Sequence, residues 1–282
     1  MQALVNLLRR SKIILGMIAL LLVGYGIYFF FAFSITTDNA YVMANIQPVA
    51  AEVSGKVDGV YVQNNEWVKK GVLLFSLDAK AYEIRLKQAK LSLEAVQLQL
   101  TEAENILAAF KQQNMIRRDE LQLAVDKLRV ERVQAQLSVE IAQSQLQATQ
   151  VYAQADGVIS NLTLTKGTFV QAYQPLFAFI HTDKWWVEAN FKETDLASIK
   201  KGDKAQIRLR MYLGKKVYTG VVQDTNWAVG RSKTDTNTLL QQVPQENQWL
   251  LLPQRFPVLI EIKDPDPNFP LHVGASAYVT IE

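Results

Sequence analysis

The stretch GKVDGVYVQNNEWVKKGVLLFSL at residues 55–77 recurs in altered form as GVISNLTLTKGTFVQAYQPLFAF at residues 157–179. The two copies align without a gap, at a constant offset of 102 residues from 55 to 157. An internal repeat identifies the structural unit of a chain, so it is the starting point for the fold. This one predicts two half-modules, 51–78 and 153–180, that close into one small β-domain. The matching pairs are Gly55 and Gly157, Val57 and Ile159, Val60 and Leu162, Val62 and Leu164, Trp67 and Phe169, Val68 and Val170, Leu74 and Leu176, Phe75 and Phe177, and Leu77 and Phe179.

Residues 79–152, which separate the half-modules, have a helical pattern. The longer stretch 72–156 contains neither Gly nor Pro. Its apolar residues recur at alternating spacings of three and four, which is the heptad seam of helices that pack along their length. Arg132 is the one interruption. The first seam comprises Leu86, Ala89, Leu93, Val96, Leu100, Ala103, Leu107 and Phe110, and the second comprises Leu121, Val125, Leu128, Ala135, Val139, Ala142 and Leu146.

The polar stretch KQQNMIRRDE at residues 111–120 separates the two seams. One unbroken helix of about seventy residues is the alternative to a reversal at this stretch. The repeat decides between them, because the two half-modules must meet in space and the helix therefore has to return. The sequence predicts an antiparallel coiled-coil hairpin with its tip at 111–120, and arms of about 33 residues would each reach roughly 50 Å.

Residues 13–33 form an uncharged, almost wholly apolar run, IILGMIALLLVGYGIYFFFAF. A helix of this length crosses the hydrocarbon core of a bilayer. No small-residue cleavage site follows, so a retained anchor is preferred to a cleaved signal peptide. Three basic residues precede the run and the next one after it is Lys56. The positive-inside rule then places 1–12 in the cytoplasm and the rest of the chain, from the connector 34–50 onward, outside it.

From residue 181 to residue 282 the chain changes to short alternating strand patterns without helical periodicity. Several short strands separated by turn signals are typical of a small β-barrel. A short helix is predicted at Thr194–Lys200. The predicted strands are Trp185–Phe191, Lys204–Arg210, Lys216–Asp224, Val258–Ile262 and Ala275–Ile281. With the anchor and the split β-domain, this region predicts a membrane-anchored α+β protein.

Composition excludes several kinds of site. The chain has no cysteine, which excludes disulfides, thiolate metal sites and cysteine nucleophiles. A net charge of +3 without a basic patch interleaved with aromatic residues gives no support for nucleic-acid binding. His181 and His272 are the only histidines, and no set of ligands at metal-binding spacing accompanies them. The sequence contains no nucleophile elbow, P-loop or dinucleotide fingerprint. It therefore predicts no catalytic, cofactor-binding or metal-binding residues.

Several stretches resemble the HlyD-type membrane fusion proteins, or periplasmic adaptors, and most closely their EmrA-like and AaeA-like branch. These stretches are TTDNAYVMANIQPVAAEVSGKV at 36–57, WVKKGVLLFSLD at 67–78, WWVEANFKETDLASIKKGD at 185–203, and the strings PQRFPVLIEI and HVGASAYVTIE near the end. The resemblance implies a biotinyl/lipoyl-like domain formed by the half-repeats, a helical hairpin inserted between them, and a β-barrel. It also implies an oligomeric ring, a trimer or hexamer, that links an inner-membrane transporter to a TolC-like outer-membrane channel.

The resemblance also implies that the hairpin tip contacts the channel. Arg117 and Leu121 match the first two positions of the Arg-x3-Leu-x6-Ser pattern of such tips, whereas Leu128 occupies the serine position. The residues expected at the partner-binding tip are Asn114, Met115, Arg117, Arg118 and Leu121.

Two alternatives to a drug or aromatic-acid efflux adaptor remain open. One is an adaptor for type I protein secretion, for which the partner is an ABC exporter rather than a major-facilitator or AaeB-like transporter. The other is a membrane-tethered carrier domain of an enzyme complex, with biotin or lipoate on Lys80. A carrier lysine sits on a tight turn, whereas Lys80 is predicted at the root of a long helix. Adjacent Trp185 and Trp186 favour one ring in the core and one at a subunit contact over a drug-binding patch.

Overall fold

The computed structural model describes residues 35–109, 115–225 and 254–282, together with Leu21 and Gly24. The chain divides into two compact units, one of them Ile46–Asp183 and the other Lys184–Glu282 with the residues up to Asn45. Apart from Leu21 and Gly24, the predicted transmembrane segment 13–33 lies outside the described residues. Within the described ranges, no helix has both the length and the apolar character that a membrane crossing requires.

The unit Ile46–Asp183 contains a β-domain in which the two halves of the repeat complete each other. Strand β2 of the first half pairs with β7 of the second, with Gly55 opposite Val170. Strand β6 of the second half pairs with β3 of the first, with Gly157 opposite Val68. The strands are β2 Gly55–Val60, β3 Trp67–Val68, β4 Leu73–Leu77, β5 Gln150–Tyr152, β6 Gly157–Ser160 and β7 Phe169–Val170, followed by the first part of β8 Phe177–Lys192.

The core of this β-domain consists largely of the residues that the repeat predicted as equivalent. Both members of the matched apolar pairs that fall in strands are buried, with one exception, because alternate residues of a strand point to the same face. The exception is the pair Trp67 and Phe169, whose side chains are exposed at equivalent positions in the two halves. Buried equivalent pairs are Val57 and Ile159, Val68 and Val170, Phe75 and Phe177, and Leu77 and Phe179.

Two long helices, α1 Lys80–Ala109 and α2 Met115–Gln147, lie between the halves of the β-domain. Every described seam residue except the interrupting Arg132 is buried or half-buried. The predicted tip was too long at one end, because 115–120 form the first turns of α2 rather than part of the reversal. Arg and Glu are strong helix formers, so a polar stretch can form the first turns of a helix.

The other unit is a closed β-barrel. Its strands pair in the order β1, β12, β9, β10, β11 and β8, and a further pairing of β1 with β8 closes the sheet. All five strands predicted after residue 181 are present. The short helix predicted at Thr194–Lys200 is observed as the shorter α3, Glu193–Leu196. Strand β1 extends over almost all of the predicted connector 34–50. The bounds are β1 Ile35–Val49, β8 Phe177–Lys192, β9 Lys204–Leu209, β10 Tyr218–Thr225, β11 Arg255–Ile262 and β12 Ser276–Ile281.

Inward-facing residues alternate along the barrel strands, as expected for a sheet with one buried face. On β8, Val187, Ala189 and Phe191 are fully buried and belong to one core cluster. Trp185 is two residues earlier on the same face and packs against that cluster, whereas Trp186 lies on the opposite face, across from Glu261 of β11. The adjacent tryptophans therefore divide between core and surface.

Candidate partner-binding site on the helical hairpin

The base of the hairpin is fixed to the β-domain by bonds from both helices. The Asp78 carboxylate accepts a hydrogen bond of 3.1 Å from the Lys80 amide and so caps the start of α1. The Tyr82 hydroxyl donates to the Ser54 carbonyl oxygen at 2.7 Å. After the end of α2, the buried Thr149 accepts a bond of 2.8 Å from the Leu77 amide. The hairpin is thus positioned by the β-domain and does not hang from a free linker.

Along their described length the helices are held together by the predicted apolar seam and one cross-helix ion pair. Val125 is fully buried, and Leu100, Val139 and Ala142 are nearly so. Arg129 of α2 lies 3.0 Å from the Glu104 carboxylate of α1, and both side chains are about half exposed. The seam supplies most of the stability, because exposed ion pairs contribute little.

The predicted tip residues separate into two environments. Arg117 and Arg118 are exposed in the first turn of α2, together with two acidic neighbours. Met115 is the first residue of that helix, and Asn114 lies outside the described residues. Leu121 is half-buried and is the first residue of the α2 seam. Of the predicted set, the arginines are therefore the charged groups available to a partner.

Leu128, which occupies the serine position of the tip pattern, is also half-buried in the seam. A leucine at a seam position buries apolar surface between the helices. This packing role explains why the third position of the pattern is not met here. The first two positions, Arg117 and Leu121, lie one turn apart on α2, since residues four apart share a helix face.

The sequence reasoning missed a second set of apolar residues, on the outside of the hairpin. Both helices carry leucine, isoleucine or valine at intervals of seven residues, opposite the seam, and these side chains are between 52% and 68% exposed. The signal was present in the sequence as a second heptad series on the side of each helix opposite the seam. We call these the outer stripes. The α1 outer stripe is Ile84, Leu91 and Leu98, and the α2 outer stripe is Leu123, Val130 and Leu137.

The other residues considered as candidate sites have ordinary structural roles. Lys80 is the first residue of α1, not part of a turn between strands. His181 lies within 3.2 Å of the Gln47 side chain and packs edge-on against Phe179. His272 is exposed. In the part of the chain that the structure describes, no group of three or more His, Asp or Glu residues could hold a metal ion.

Family models match both units of the chain. The model described as RND MFP, barrel-sandwich hybrid domain, matches residues 45–182, and the AAEA-like beta-barrel domain matches residues 184–282. Multidrug resistance protein MdtN of Escherichia coli strain K12 is 30% identical over 308 aligned positions, which cover 88% of this chain and 89% of MdtN. The chain belongs to the membrane fusion protein family. The resemblance drawn from the sequence stretches is thereby confirmed.

Further relatives agree with this membership. Multidrug export protein EmrA of Escherichia coli strain K12 is 28% identical over 316 aligned positions, covering 92% of this chain and 80% of EmrA. Two solved structures share the fold. The membrane fusion protein Spr0693 from Streptococcus pneumoniae R6 matches with a TM-score of 0.63 at 17% identity, over 88% of this chain and 98% of that one. MacA from Actinobacillus actinomycetemcomitans matches with a TM-score of 0.67 at 18% identity, over 88% and 78% of the chains.

Proposed function

We propose that this membrane fusion protein is the periplasmic adaptor of an efflux pump that exports drugs or aromatic acids. In this proposal residues 13–33 anchor the chain in the inner membrane of a Gram-negative bacterium, with residues 1–12 in the cytoplasm. The remainder links an inner-membrane transporter, of the major-facilitator or AaeB-like kind, to an outer-membrane channel. The names of the relatives MdtN and EmrA, which denote multidrug resistance and multidrug export, support this assignment.

The observation that carries the proposal is the hairpin fixed at its base to the β-domain. Helix α1 has 30 residues, which corresponds to a length of about 45 Å. Bonds at Ser54, Asp78 and Thr149 hold both helices where they leave the β-domain. A long, internally packed arm of this kind suits a protein that spans a gap between two partners.

The mechanism in this proposal is assembly, with no catalytic, cofactor-binding or metal-binding residue. The anchor keeps the adaptor at the membrane of its transporter and raises its effective concentration there. The coiled-coil hairpin reaches the channel at its tip, through Asn114, Met115, Arg117, Arg118 and Leu121. The proposed domains are the connector 34–50, a biotinyl/lipoyl-like domain from 51–78 and 153–180, the hairpin 79–152, and a barrel domain 181–282, in a trimeric or hexameric ring.

Site-directed crosslinking in cells tests this proposal directly, because the chain has no cysteine of its own. Cysteine is placed singly by Asn114→Cys, Met115→Cys or Arg118→Cys and loaded with a thiol-reactive photocrosslinker. The captured protein is then identified by mass spectrometry. Gln88→Cys is the matched control, because residue 88 is exposed on the same hairpin but close to its base. We expect an outer-membrane channel from the tip positions and none from residue 88.

Capture of the same proteins from the tip and from residue 88 contradicts a channel contact at the tip. Capture of nothing but further copies of this chain contradicts a span between two membranes. The carrier alternative is tested separately by the intact mass of the chain purified from cells. A mass equal to that calculated from the sequence excludes a covalent cofactor on Lys80. A higher mass that returns to the calculated value in Lys80→Arg overturns the adaptor proposal.

A further inference from the structure

The residues just before strands β2 and β6, Ser54 and Asp156, make equivalent bonds with their side chains. The Ser54 hydroxyl accepts a hydrogen bond of 2.9 Å from the Ala172 amide of the second half of the repeat. The Asp156 carboxylate accepts one of 2.8 Å from the Lys70 amide of the first half. Ser54 and Asp156 are separated by the repeat offset of 102 residues, and so are Lys70 and Ala172. Each of the two residues therefore ties its own half of the β-domain to the other half.

The backbone carbonyls of the same two residues hold the elements that leave the β-domain. The Ser54 carbonyl oxygen accepts the 2.7 Å bond from the hydroxyl of Tyr82, in the first turn of α1. The Asp156 carbonyl oxygen accepts bonds of 3.3 and 3.4 Å from the amide and the hydroxyl of Thr182. Thr182 lies on β8, the strand that continues past residue 183 into the barrel unit. The two equivalent carbonyls thus serve two different exits, one to the hairpin and one along β8.

Tyr82 is the point at which a helix side chain holds the β-domain. Within the described parts of α1 and α2, no other side chain forms a hydrogen bond or an ion pair with that domain. The bonds at Asp78 and Thr149 are made to backbone N–H groups where the chain enters and leaves the hairpin. They hold one end of a rod, whereas its direction needs a further point of attachment. The half-buried Tyr82 ring provides that point, and the Arg85 guanidinium lies over it at 5.3 Å.

We propose that Ser54 is a positioning residue for the hairpin. Its carbonyl oxygen holds Tyr82 of α1 and its hydroxyl holds the second half of the repeat, so both halves of the β-domain fix the direction of α1. This inference rests on the proposed function in one respect, since the direction of the hairpin matters only where its tip has to meet a partner. About 40 Å of α1 lies beyond Tyr82, so a small rotation at the base becomes a large displacement at the far end.

The arrangement at Asp156 supports a positioning role over a chance surface contact. The side-chain residue types differ between the two exits, with Ser54 and Tyr82 at one and Asp156 and Thr182 at the other. The two-sided pattern of bonds is nevertheless the same, with the side chain bound to the opposite half and the carbonyl bound to the departing element. Side-chain networks that join separate elements restrict how those elements move relative to each other.

Distance measurements on the full chain in lipid nanodiscs test the inference. Because the chain has no cysteine, spin labels can be placed at Gln63→Cys in the β-domain and at Gln122→Cys on α2, both exposed positions. An excess of unlabelled chain keeps the labels of different copies apart. Pulsed electron paramagnetic resonance then gives the distribution of distances between the two labels. We expect Tyr82→Phe to widen this distribution, because the variant keeps the ring and loses only the hydroxyl bond.

Variants of Ser54 test whether its hydroxyl acts through Tyr82. Ser54→Ala should also widen the distribution, whereas Ser54→Thr, which retains a hydroxyl, should keep the original width. The double variant of Ser54→Ala with Tyr82→Phe should be no wider than Tyr82→Phe alone, because the two bonds act in series on α1. Additive widening in the double variant would mean that the two residues act independently, and it would overturn the inference.

Two matched controls separate positioning from a general loss of stability. Tyr152→Phe removes a tyrosine hydroxyl bond to Gln150 in the same β-domain, and Asp156→Ala removes the equivalent side-chain bond at the other exit. Both should leave the width of the distribution unchanged, even where urea denaturation shows the same loss of stability as for Tyr82→Phe. Equal widening in either control would assign the effect to general loosening and overturn the inference, as would an unchanged width in Tyr82→Phe.

Photocrosslinking from Arg118→Cys connects the inference to the proposed function. In combination with Tyr82→Phe, the yield of captured channel should fall by about twofold to tenfold, the range that one lost hydrogen bond allows. If residue 118 captures a channel and Tyr82→Phe changes neither the yield nor the width, the adaptor role stands and this inference is wrong. If Tyr82→Phe widens the distribution but residue 118 captures no channel, the hairpin is positioned as inferred and the proposed channel contact is wrong.

Discussion

The backbone N–H of Asn65 donates a hydrogen bond of 2.8 Å to the carbonyl oxygen of Ile159. Exchanging the halves of the repeat gives the same bond, since the N–H of Gly167 donates to the carbonyl oxygen of Val57, also at 2.8 Å. Asn65 and Gly167 are equivalent positions, and both have a positive φ, 63° and 95°. The left-handed conformation is open to Gly and tolerated by Asn. The repeat is therefore preserved in backbone conformation as well as in side chains.

The equivalent glycines of the repeat, Gly55 and Gly157, differ in how closely their surroundings approach, and this difference can be measured. A methyl group at Gly157 would lie 2.4 Å from the Ile180 carbonyl oxygen, whereas at Gly55 it meets the Leu77 side chain at 3.4 Å. Gly157→Ala should lower the free energy of unfolding by about 1–3 kcal/mol, as overpacking does. Gly55→Ala should change it by less than about 0.5 kcal/mol. Urea denaturation of both variants checks this, and equal losses would contradict the asymmetry.

The hairpin seam should tolerate truncation less well than the outer stripe. Val125→Ala removes buried methyl groups between the helices and should cost about 2 kcal/mol, because a cavity remains. Leu123→Ala, two residues away and 57% exposed, should cost less than about 0.5 kcal/mol in the monomer. Thermal unfolding followed by helix circular dichroism, at a concentration where the chain is monomeric, measures both. A larger loss of stability from Leu123→Ala than from Val125→Ala would contradict the assignment of the seam.

The ion pair between Glu104 and Arg129 should contribute little. Its side chains are 44% and 52% exposed, and Arg129 also lies 3.2 Å from Asp126. A double-mutant cycle with Glu104→Gln and Arg129→Gln should give a coupling free energy of about 0.2–1 kcal/mol, and less in 1 M salt. A coupling above about 2 kcal/mol would mean that this pair, and not the apolar seam, holds the helices together.

Barrel stability should fall at alkaline pH because of Tyr218. Burial, and then the negative charges of Tyr212, Asp266 and Asp264, raise the pKa of Tyr218 from 10.0 to about 12. Between these values the unfolded chain loses a proton that the folded chain keeps, so the free energy of unfolding decreases as pH rises from about 10 to about 12. Below that window the contribution is constant. Urea titrations at several pH values measure the slope.

Tyr218→Phe is the matched variant for this effect. The Tyr218 hydroxyl donates a bond of 2.6 Å to the Phe269 carbonyl oxygen, so the variant should lose about 1 kcal/mol near pH 7. It should also have a shallower decrease in stability above pH 10. An unchanged slope in the variant would contradict the role of Tyr218 in the alkaline loss of stability.

Sequence patterns predicted the elements of this fold well where a local period was strong. The seam at spacings of three and four gave both long helices, and alternation gave the strands of the barrel. The ends of the helices and strands were predicted less well from the sequence. Residues 115–120 are helical although they are polar, because Arg and Glu are strong helix formers. The predicted helix at Thr194–Lys200 was too long, and the structure ends it at Leu196. Such boundaries depend on tertiary contacts rather than on the local pattern.

By itself the sequence determined that the halves of the repeat must meet and that a helical arm must leave and return between them. That follows from chain connectivity and from the burial that matched apolar positions require. Only the tertiary structure decided which residues the arm presents outward. The spacings of three and four assigned Leu100 to the seam, whereas the exposure of Leu98 and the other outer-stripe residues was evident only in the folded hairpin. Burial depends on where the second helix lies, and that is a property of the assembled chain.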